Sequence, residues 1–337
     1  MTGKENTMLR FGTVGTSWIT NSYIEGALDS GLWNLTAVYS RTREKGLEFG
    51  AKFGVETVFT DLSKMAQSDC IDAVYIASPN KLHTAQARVF LENGKHVICE
   101  KPLSAHAEDV SALQALAAER GLIYLEAIMY MHLPQRKLLE NALEKIGPIS
   151  MAKIDFCQRS SKYDAYLSGQ LPNIFNPELE TGALMDLGVY CIYPALHLFG
   201  MPEKTQITAQ LLESKADGSG IVAMQYPDKL VNLVYSKVGQ AGANTDFQGL
   251  RGTVSVESIS RLANIEIVYN DGTKEAVCGE EPKYRLMGYE AKDFYRYITE
   301  PEASATEYET CCKLSHTVSA YMERLRREGG IRFPSDR

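Results

Sequence analysis

Over the first 127 residues, short apolar runs alternate with amphipathic stretches. The runs predict strands at Leu9–Val14, Leu35–Tyr39, Ala73–Ala77, His96–Cys99 and Ile123–Ala127. They carry few polar positions, as expected of strands covered on both faces. The stretches between them predict helices at Trp18–Asp29, Arg43–Phe53, Thr84–Asn93 and Ala107–Glu119. Asn93-Gly94 and Arg120-Gly121 put glycine just past the last turn of two of these helices. Alternation of this kind predicts a parallel sheet wrapped by helices.

Beyond residue 127 the pattern changes. A helix at Gln135–Lys145 stops at Gly147-Pro148, and strand-like runs then dominate. They fall at Met151–Phe156, Thr205–Leu212, Ile221–Tyr226, Leu230–Val238, Gly252–Val256 and Ile265–Tyr269. Asp217-Gly218 and Asn270-Asp271-Gly272 read as turns between them, which predicts a mostly antiparallel sheet. Helices are expected at Ala183–Phe199, Tyr289–Thr299 and Glu307–Arg327. A chain of 337 residues exceeds one typical core, so two domains are expected, 1–127 and 128–337.

Charge and composition then exclude several classes. A net charge of -7 with no Lys/Arg cluster argues against a nucleic-acid partner. No run of about 18 apolar residues predicts a membrane span. Met1–Met8 has no apolar core of the kind a secretory leader needs. Seven dispersed cysteines without a Cys-x-x-Cys spacing, Cys311 and Cys312 being adjacent, read as reduced thiols of a cytoplasmic protein. The histidines and cysteines form no zinc pattern, so no metal site is expected.

Five stretches carry candidate chemistry. Gly12-Thr13-Val14-Gly15-Thr16-Ser17 follows the first strand and opens the first helix. A dinucleotide fingerprint would place glycine at 15, 17 and 20, where this chain has Gly15, Ser17 and Thr20. The motif is degenerate, and an ordinary tight turn is the alternative. Backbone N–H groups at that helix start would face a pyrophosphate. At the end of the second strand, an NAD binder usually carries an acid. Here stand Ser40-Arg41-Thr42-Arg43-Glu44-Lys45, whose hydroxyl and cations suit a 2′-phosphate. A solvated basic loop is the alternative. Ser78-Pro79-Asn80 and His83 follow the third strand run, and either reach the cofactor or cap the next helix.

The remaining two stretches point to acid/base work. In Cys99-Glu100-Lys101-Pro102-Leu103, Lys101 stands where a parallel strand ends, over the crevice in which such sheets bind ligands. Pro102 stops strand pairing just after it. In the helix from Gly182, Asp186 and Tyr190 are four apart and share a face. Tyr193 and His197 continue that stripe and read as ordinary polar positions. A tyrosine near a lysine can act as a general acid, because the ammonium stabilises the phenolate.

On the Gly12–Thr20 turn, Ser78-Pro79-Asn80 with His83, Gly94-Lys95-His96 leading to Glu100-Lys101-Pro102-Leu103, and the Gly182–Tyr190 helix, the chain resembles the Gfo/Idh/MocA oxidoreductases. Glu126-Ala127, Gly182–Cys191 and Gly288-Tyr289-Glu290-Ala291 look like the dimeric dihydrodiol dehydrogenase branch, which is similar to NADP-dependent sugar dehydrogenases. The resemblance implies an α/β protein. Its first part would be a doubly wound Rossmann-like dinucleotide-binding domain, 1–127. Its second, 128–337, would carry substrate binding and oligomerisation on a large, mostly antiparallel open sheet. It implies a cofactor site at Gly12, Gly15, Thr16, Ser17, Trp18, Ile19, Ser40, Arg41, Lys45, Ser78, Pro79, Asn80, His83, Glu100 and Lys101. Inositol-type members carry histidine where this chain has Tyr190.

These readings converge on an NADP-preferring oxidoreductase, with NAD as the second candidate. The substrate would be a sugar, polyol or dihydrodiol. Lys101 would polarise the reacting oxygen or tune Tyr190, Tyr190 would move the proton, and Asp186 would orient the substrate or Lys101. Arg159, Tyr163, Tyr166 and Tyr284 are candidate pocket residues. The expected assembly is a homodimer or homotetramer through the C-terminal sheet, with neither nucleic acid nor membrane as partner. The alternatives are a non-catalytic NADP-binding regulator, against which Lys101 and Tyr190 argue, and an NAD-dependent inositol-type dehydrogenase, against which Ser40-Arg41 and Tyr190 argue.

Overall fold

The computed structural model describes residues 8–336. The stretch read above as lacking a leader's apolar core lies, except for Met8, outside the described residues. In chain order the first half holds β1 (Leu9–Val14), α1 (Trp18–Asp29), β2 (Trp33–Tyr39), α2 (Arg43–Ala51), β3 (Val58–Phe59), α3 (Leu62–Gln67) and β4 (Ala73–Ile76). It continues with α4 (His83–Glu92), β5 (His96–Glu100), α5 (Ala107–Glu119), β6 (Tyr124–Ala127) and the short α6 (Met129–His132). The six strands form a parallel sheet in the order β3-β2-β1-β4-β5-β6. The order reverses at β1, so the ends of β1 and β4 flank the switch point where such sheets bind ligands. All four residues of β4 are buried, in keeping with a strand covered on both faces. The sequence pattern passes over β3 and α3: two residues of strand and six of helix are too short to show a period.

The second half holds α7 (Gln135–Ile146), β7 (Ile149–Cys157), α8 (Tyr163–Leu167) and α9 (Val189–Phe199). Then come β8 (Lys204–Leu211), β9 (Asp217–Gln225), β10 (Leu230–Ser236), β11 (Thr245–Gly249), β12 (Gly252–Ser258), β13 (Ala263–Tyr269) and β14 (Lys274–Cys278). Two helices end the chain, α10 (Lys283–Thr299) and α11 (Pro301–Glu328). The eight strands lie in the order β14-β13-β12-β11-β7-β10-β9-β8, antiparallel except for the β7–β10 pair. In β9, Val222 and Met224 face the core while Ile221, Ala223 and Gln225 face outward. Two expectations are corrected here. Asp217-Gly218 opens β9 and is not a turn; the turn lies just before it, at Lys215, whose φ is 72°. The helix expected over Ala183–Phe199 is not one α-helix, because Leu184–Gly188 forms a π-helical turn ahead of α9.

The chain divides into two compact units. One takes the residues up to Met129 together with Pro282–His316, and the other takes Tyr130–Glu281 and Thr317 onward. The first unit is therefore discontinuous, unlike the single boundary after residue 127 expected from pattern. Backbone contact explains why α10 belongs with α1. A Cβ on Gly26 would sit 2.3 Å from the Tyr284 carbonyl and 2.6 Å from the Gly288 nitrogen. Beside that crossing, the Trp33 indole N–H donates to the Ala291 carbonyl at 2.8 Å, and its ring stacks on Phe294 at 5.3 Å. No described helix is long and apolar enough to cross a membrane. Among the described residues, no cluster of His, Cys, Asp or Glu could hold a metal ion.

Candidate active site

In the first unit, candidate residues gather where β1, β4 and β5 end. Gly15 has φ 119°, and a Cβ there would lie 2.7 Å from the Ala77 carbonyl. Only glycine lets the turn after β1 close this tightly on the chain leaving β4. Ser17 caps α1 in extended conformation, but its side chain makes no bond to the helix N–H groups; its hydroxyl lies 3.3 Å from that of Thr20. The first turn of α1 carries no acid. The positive end of a 12-residue helix is thus open to an anion. Thr16, Ser17 and Trp18 are exposed and Ile19 is half-buried. Gly12 lies earlier, inside β1, and a Cβ there would strike Met65 at 2.2 Å. Its small size answers to the core.

The other cofactor candidates separate by what their side chains touch. Ser40 is buried at the end of β2, while Arg41 and Lys45 are exposed beside it. Arg43 turns back to the Val58 carbonyl at 3.4 Å. The Ser78 hydroxyl donates to Gln86 at 2.7 Å. Pro79 is exposed, and Asn80 opens a 3-10 turn before α4; α4 has no side-chain cap. His83 is fully buried, with Nδ1 2.9 Å from the Pro102 carbonyl and Nε2 2.8 Å from that of Ser78. Both ring nitrogens face backbone carbonyls, and the one that carries the proton donates, so His83 lies between the turn after β4 and the loop after β5. Burial pushes its pKa down, the Pro102 and Ser78 carbonyls oppose the shift, and the Lys101 charge adds to it.

Around Glu100, which precedes Lys101, stand side chains that sequence reasoning did not assign. The Tyr75 hydroxyl donates to Glu100 at 2.6 Å, and the Tyr75 ring stacks on Tyr23 at 3.9 Å. Desolvation raises the Glu100 pKa, while the charge of Lys101 and the Tyr75 bond oppose the rise. Glu290 of α10 is wholly buried with neither carboxyl oxygen hydrogen-bonded, and desolvation raises its pKa strongly, Glu100 adding to the effect. Lys283 donates to the Met129 sulfur at 3.2 Å in the same unit. The Glu100–Lys101 pair was visible in the sequence; its support from Tyr23, Tyr75 and Glu290 comes from three separate elements and has no local signature.

In the second unit, the π-helical turn carries Asp186 and leads into Tyr190. It starts under Gly182, where a Cβ would fall 2.0 Å from a carboxyl oxygen of Asp217. Asp217 accepts the Leu184 N–H at 2.7 Å. Asp186 forms an ion pair with Lys237. The Tyr190 ring meets Phe156 of β7 edge-on, at 5.4 Å and 81°. The shared face expected of residues four apart on an α-helix does not apply unchanged, because a π turn inserts an extra residue between Asp186 and α9. Tyr193 is fully buried, and His197 lies 3.0 Å from the Tyr130 hydroxyl. Of the pocket candidates, Arg159 pairs with Asp164 at 2.6 Å and lies over the Tyr163 ring, and the Tyr166 hydroxyl accepts the Ser214 N–H at 3.1 Å. Tyr284 stands on α10 in the other unit.

Comparison with known proteins matches both halves to one family. Residues 9–127 match the Gfo/Idh/MocA oxidoreductase family, NAD-binding Rossmann fold, and residues 136–255 match a Gfo/Idh/MocA C-terminal domain. The scyllo-inositol 2-dehydrogenase (NADP(+)) of Bacillus subtilis is 42% identical over 98% of this chain and 99% of its own length. The trans-1,2-dihydrobenzene-1,2-diol dehydrogenase of Mus musculus is 26% identical over 98% of this chain and 99% of its own. A 3-ketoreductase from Actinomadura kijaniata, solved with TDP-benzene and NADP, shares the fold with a TM-score of 0.80 at 22% identity, over 96% of this chain and 98% of that one.

Proposed function

This chain belongs to the Gfo/Idh/MocA oxidoreductase family, and from that premise we propose that it is an NADP-preferring dehydrogenase acting on a cyclic polyol, sugar or diol. The observation that carries the reading is the cradle at the ends of β1 and β4. There Gly15 closes the turn against Ala77, and α1 presents a start without side-chain cap or acid. That arrangement fits a pyrophosphate. The backbone of residues 15–19 holds the diphosphate. Ser40, Arg41 and Lys45 receive the 2′-phosphate, a reading supported by NADP in the name of the 42%-identical relative. The same name brings cyclic polyols into the substrate class, although inositol-type members carry histidine where this chain has Tyr190.

Bound NADP supplies the hydride chemistry. Lys101 polarises the oxygen on the reacting carbon through its ammonium charge. Tyr190 delivers or accepts the proton on that oxygen, and Asp186 orients the substrate hydroxyls. Glu100, held by the Tyr75 hydroxyl, stands next to Lys101 in the chain, and His83 lies between the loops on either side. The second unit's sheet leaves one face open, and we assign self-association to that face. The test is a panel of cyclic polyols, inososes, aldoses and dihydrodiols, followed at the nicotinamide absorbance with NADP and with NAD. Turnover of at least one member with NADP is expected, with the preference for NADP lost in Arg41→Ala. A lost charge-assisted phosphate contact costs about 1.5–3 kcal/mol, roughly ten- to hundredfold in affinity. Equal affinities for both cofactors in the unmutated protein would overturn the NADP assignment.

A further inference from the structure

Asp186 and Tyr190 do not stand on an ordinary helix, and what holds their turn lies in the sheet. Lys237 follows β10, and its side chain is only 5% exposed. Its backbone is tied at both ends: its N–H donates to the Gly218 carbonyl at 2.8 Å, and its own carbonyl accepts the Ser160 N–H at 2.8 Å. A lysine this deeply buried is costly unless an anion meets it, and the anion is the half-exposed carboxylate of Asp186. Asp217, fully buried at the start of β9, accepts the Leu184 N–H that opens the π turn. Gly182 leaves the space that Asp217 occupies. Because Ser236 pairs with Ser219, the strand ends carrying Lys237 and Asp217 lie side by side.

We propose that Lys237 is a positioning residue, which fixes Asp186 as an ionised, oriented carboxylate, and that Asp217 anchors the π turn bearing it. The inference rests on the role given to Asp186 above. The geometry explains why the turn is π-helical at all. A regular α-helix from residue 184 would rotate Asp186 relative to Tyr190. Tethering the turn at its start by Asp217 and at its middle by Lys237 holds the wider winding in place. π turns recur at functional sites. The charged and titratable groups packed around the tether are Asp186 on the turn, Lys237 after β10, Asp217 on β9, Tyr235 on β10 and Cys191 on α9. Among them Lys237 supplies the positive charge, so its removal changes Asp186 directly.

The test uses steady-state kinetics on a substrate found in the panel. Lys237→Met is expected to lower kcat about 10- to 100-fold, with little change in NADP affinity. The acid limb of the kcat profile should move up by about one pH unit, because an adjacent cation favours the ionised carboxylate. Lys237→Arg should restore most of kcat and the original limb. In an Asp186→Asn background, Lys237→Met should add little further loss, since both changes act through one carboxylate. If Lys237→Met does not fold, Lys237→Gln, which keeps a polar N–H donor without the charge, carries the same cycle. An inactive wild type, or an Asp186→Asn variant with unimpaired turnover, sinks the role of Asp186 and this inference with it. An active wild type with a crippled Asp186→Asn, but a folded Lys237→Met of normal kcat and pH profile, sinks the positioning role alone. Additive losses in the double mutant do the same.

Discussion

At the scale of single residues, the proposed chemistry rests on two groups that the sequence made visible, and its setting rests on groups it did not. Lys101→Met keeps length and removes the ammonium, and Tyr190→Phe keeps the ring and removes the hydroxyl. Each should lower turnover on the order of 10²–10⁴-fold with NADP affinity nearly unchanged, and the double mutant should be little worse than the poorer single one. Near-normal turnover of Lys101→Met on a genuine substrate would refute the mechanism. Two other residues give opposite dependences of stability on pH. His96 accepts the Ile123 N–H at Nδ1, at 3.0 Å, and burial pushes its pKa down to about 4. Its folded value lies below the unfolded value of about 6.5, so its contribution is present above pH 6.5 and lost as pH falls toward 4; the loss approaches about 3 kcal/mol. Burial pushes Asp217 up to about 6, so its contribution is present below the unfolded value and lost as pH rises through 6. Urea unfolding between pH 4 and 7.5 should separate them. His96→Gln should fall more steeply in stability than wild type as pH rises across this window, and Asp217→Asn should rise more steeply. Parallel curves for all three proteins would show that neither group is linked to folding.

At the scale of elements, what was legible depended on length and on whether a partner was local. β1, α1, α5 and the loop ends carrying Gly15, Ser78 and Lys101 follow from periodicity and from where apolar runs stop. β3, β11 and β14 did not show. Each is five residues or fewer, and β11 and β14, Thr-Asp-Phe-Gln-Gly and Lys-Glu-Ala-Val-Cys, are stabilised by their neighbours more than by apolar content. The π turn was invisible for a similar reason, since Leu184 is bonded by Asp217 and Asp186 by Lys237, both distant in the chain. Glu290 stood inside a recognised motif, Gly288-Tyr289-Glu290-Ala291, yet its burial could be known only from the packing of α10. That packing yields a prediction. A methyl group at Gly26 would lie 2.3 Å from a backbone carbonyl of α10, which no rotamer change relieves. Gly26→Ala should therefore destabilise the first unit by about 1–3 kcal/mol, through forced separation of α1 and α10. Gly31→Ala, where no atom lies within 4 Å, is a control for lost glycine freedom, although its φ of 70° carries its own strain. Thermal unfolding that is unchanged in Gly26→Ala would mean that the two helices have slack at this crossing.

At the scale of the whole molecule, the eight-stranded sheet leaves a question that its own register frames. On its open side, Asp155, Val234, Ile221 and Thr208 form one row across four strands, β7, β10, β9 and β8. Ile221 is 52% exposed, and Leu230 on the next strand is 49% exposed. The row mixes apolar and polar side chains, as surfaces that meet water in a monomer and a copy of themselves in a dimer must do. A two-fold contact uses the same patch twice, so one substitution at its centre acts twice. Ile221→Lys places two ammonium groups in such an interface and leaves the buried face of β9, Val222 and Met224, untouched. The folded chain should then run as a smaller species than wild type in light scattering coupled to gel filtration, with the shift growing on dilution. NADP binding should persist, because the proposed cofactor residues lie in the other unit. A wild type that is monomeric at high concentration would refute the self-association, and an Ile221→Lys variant of unchanged assembled mass would place it on a different surface.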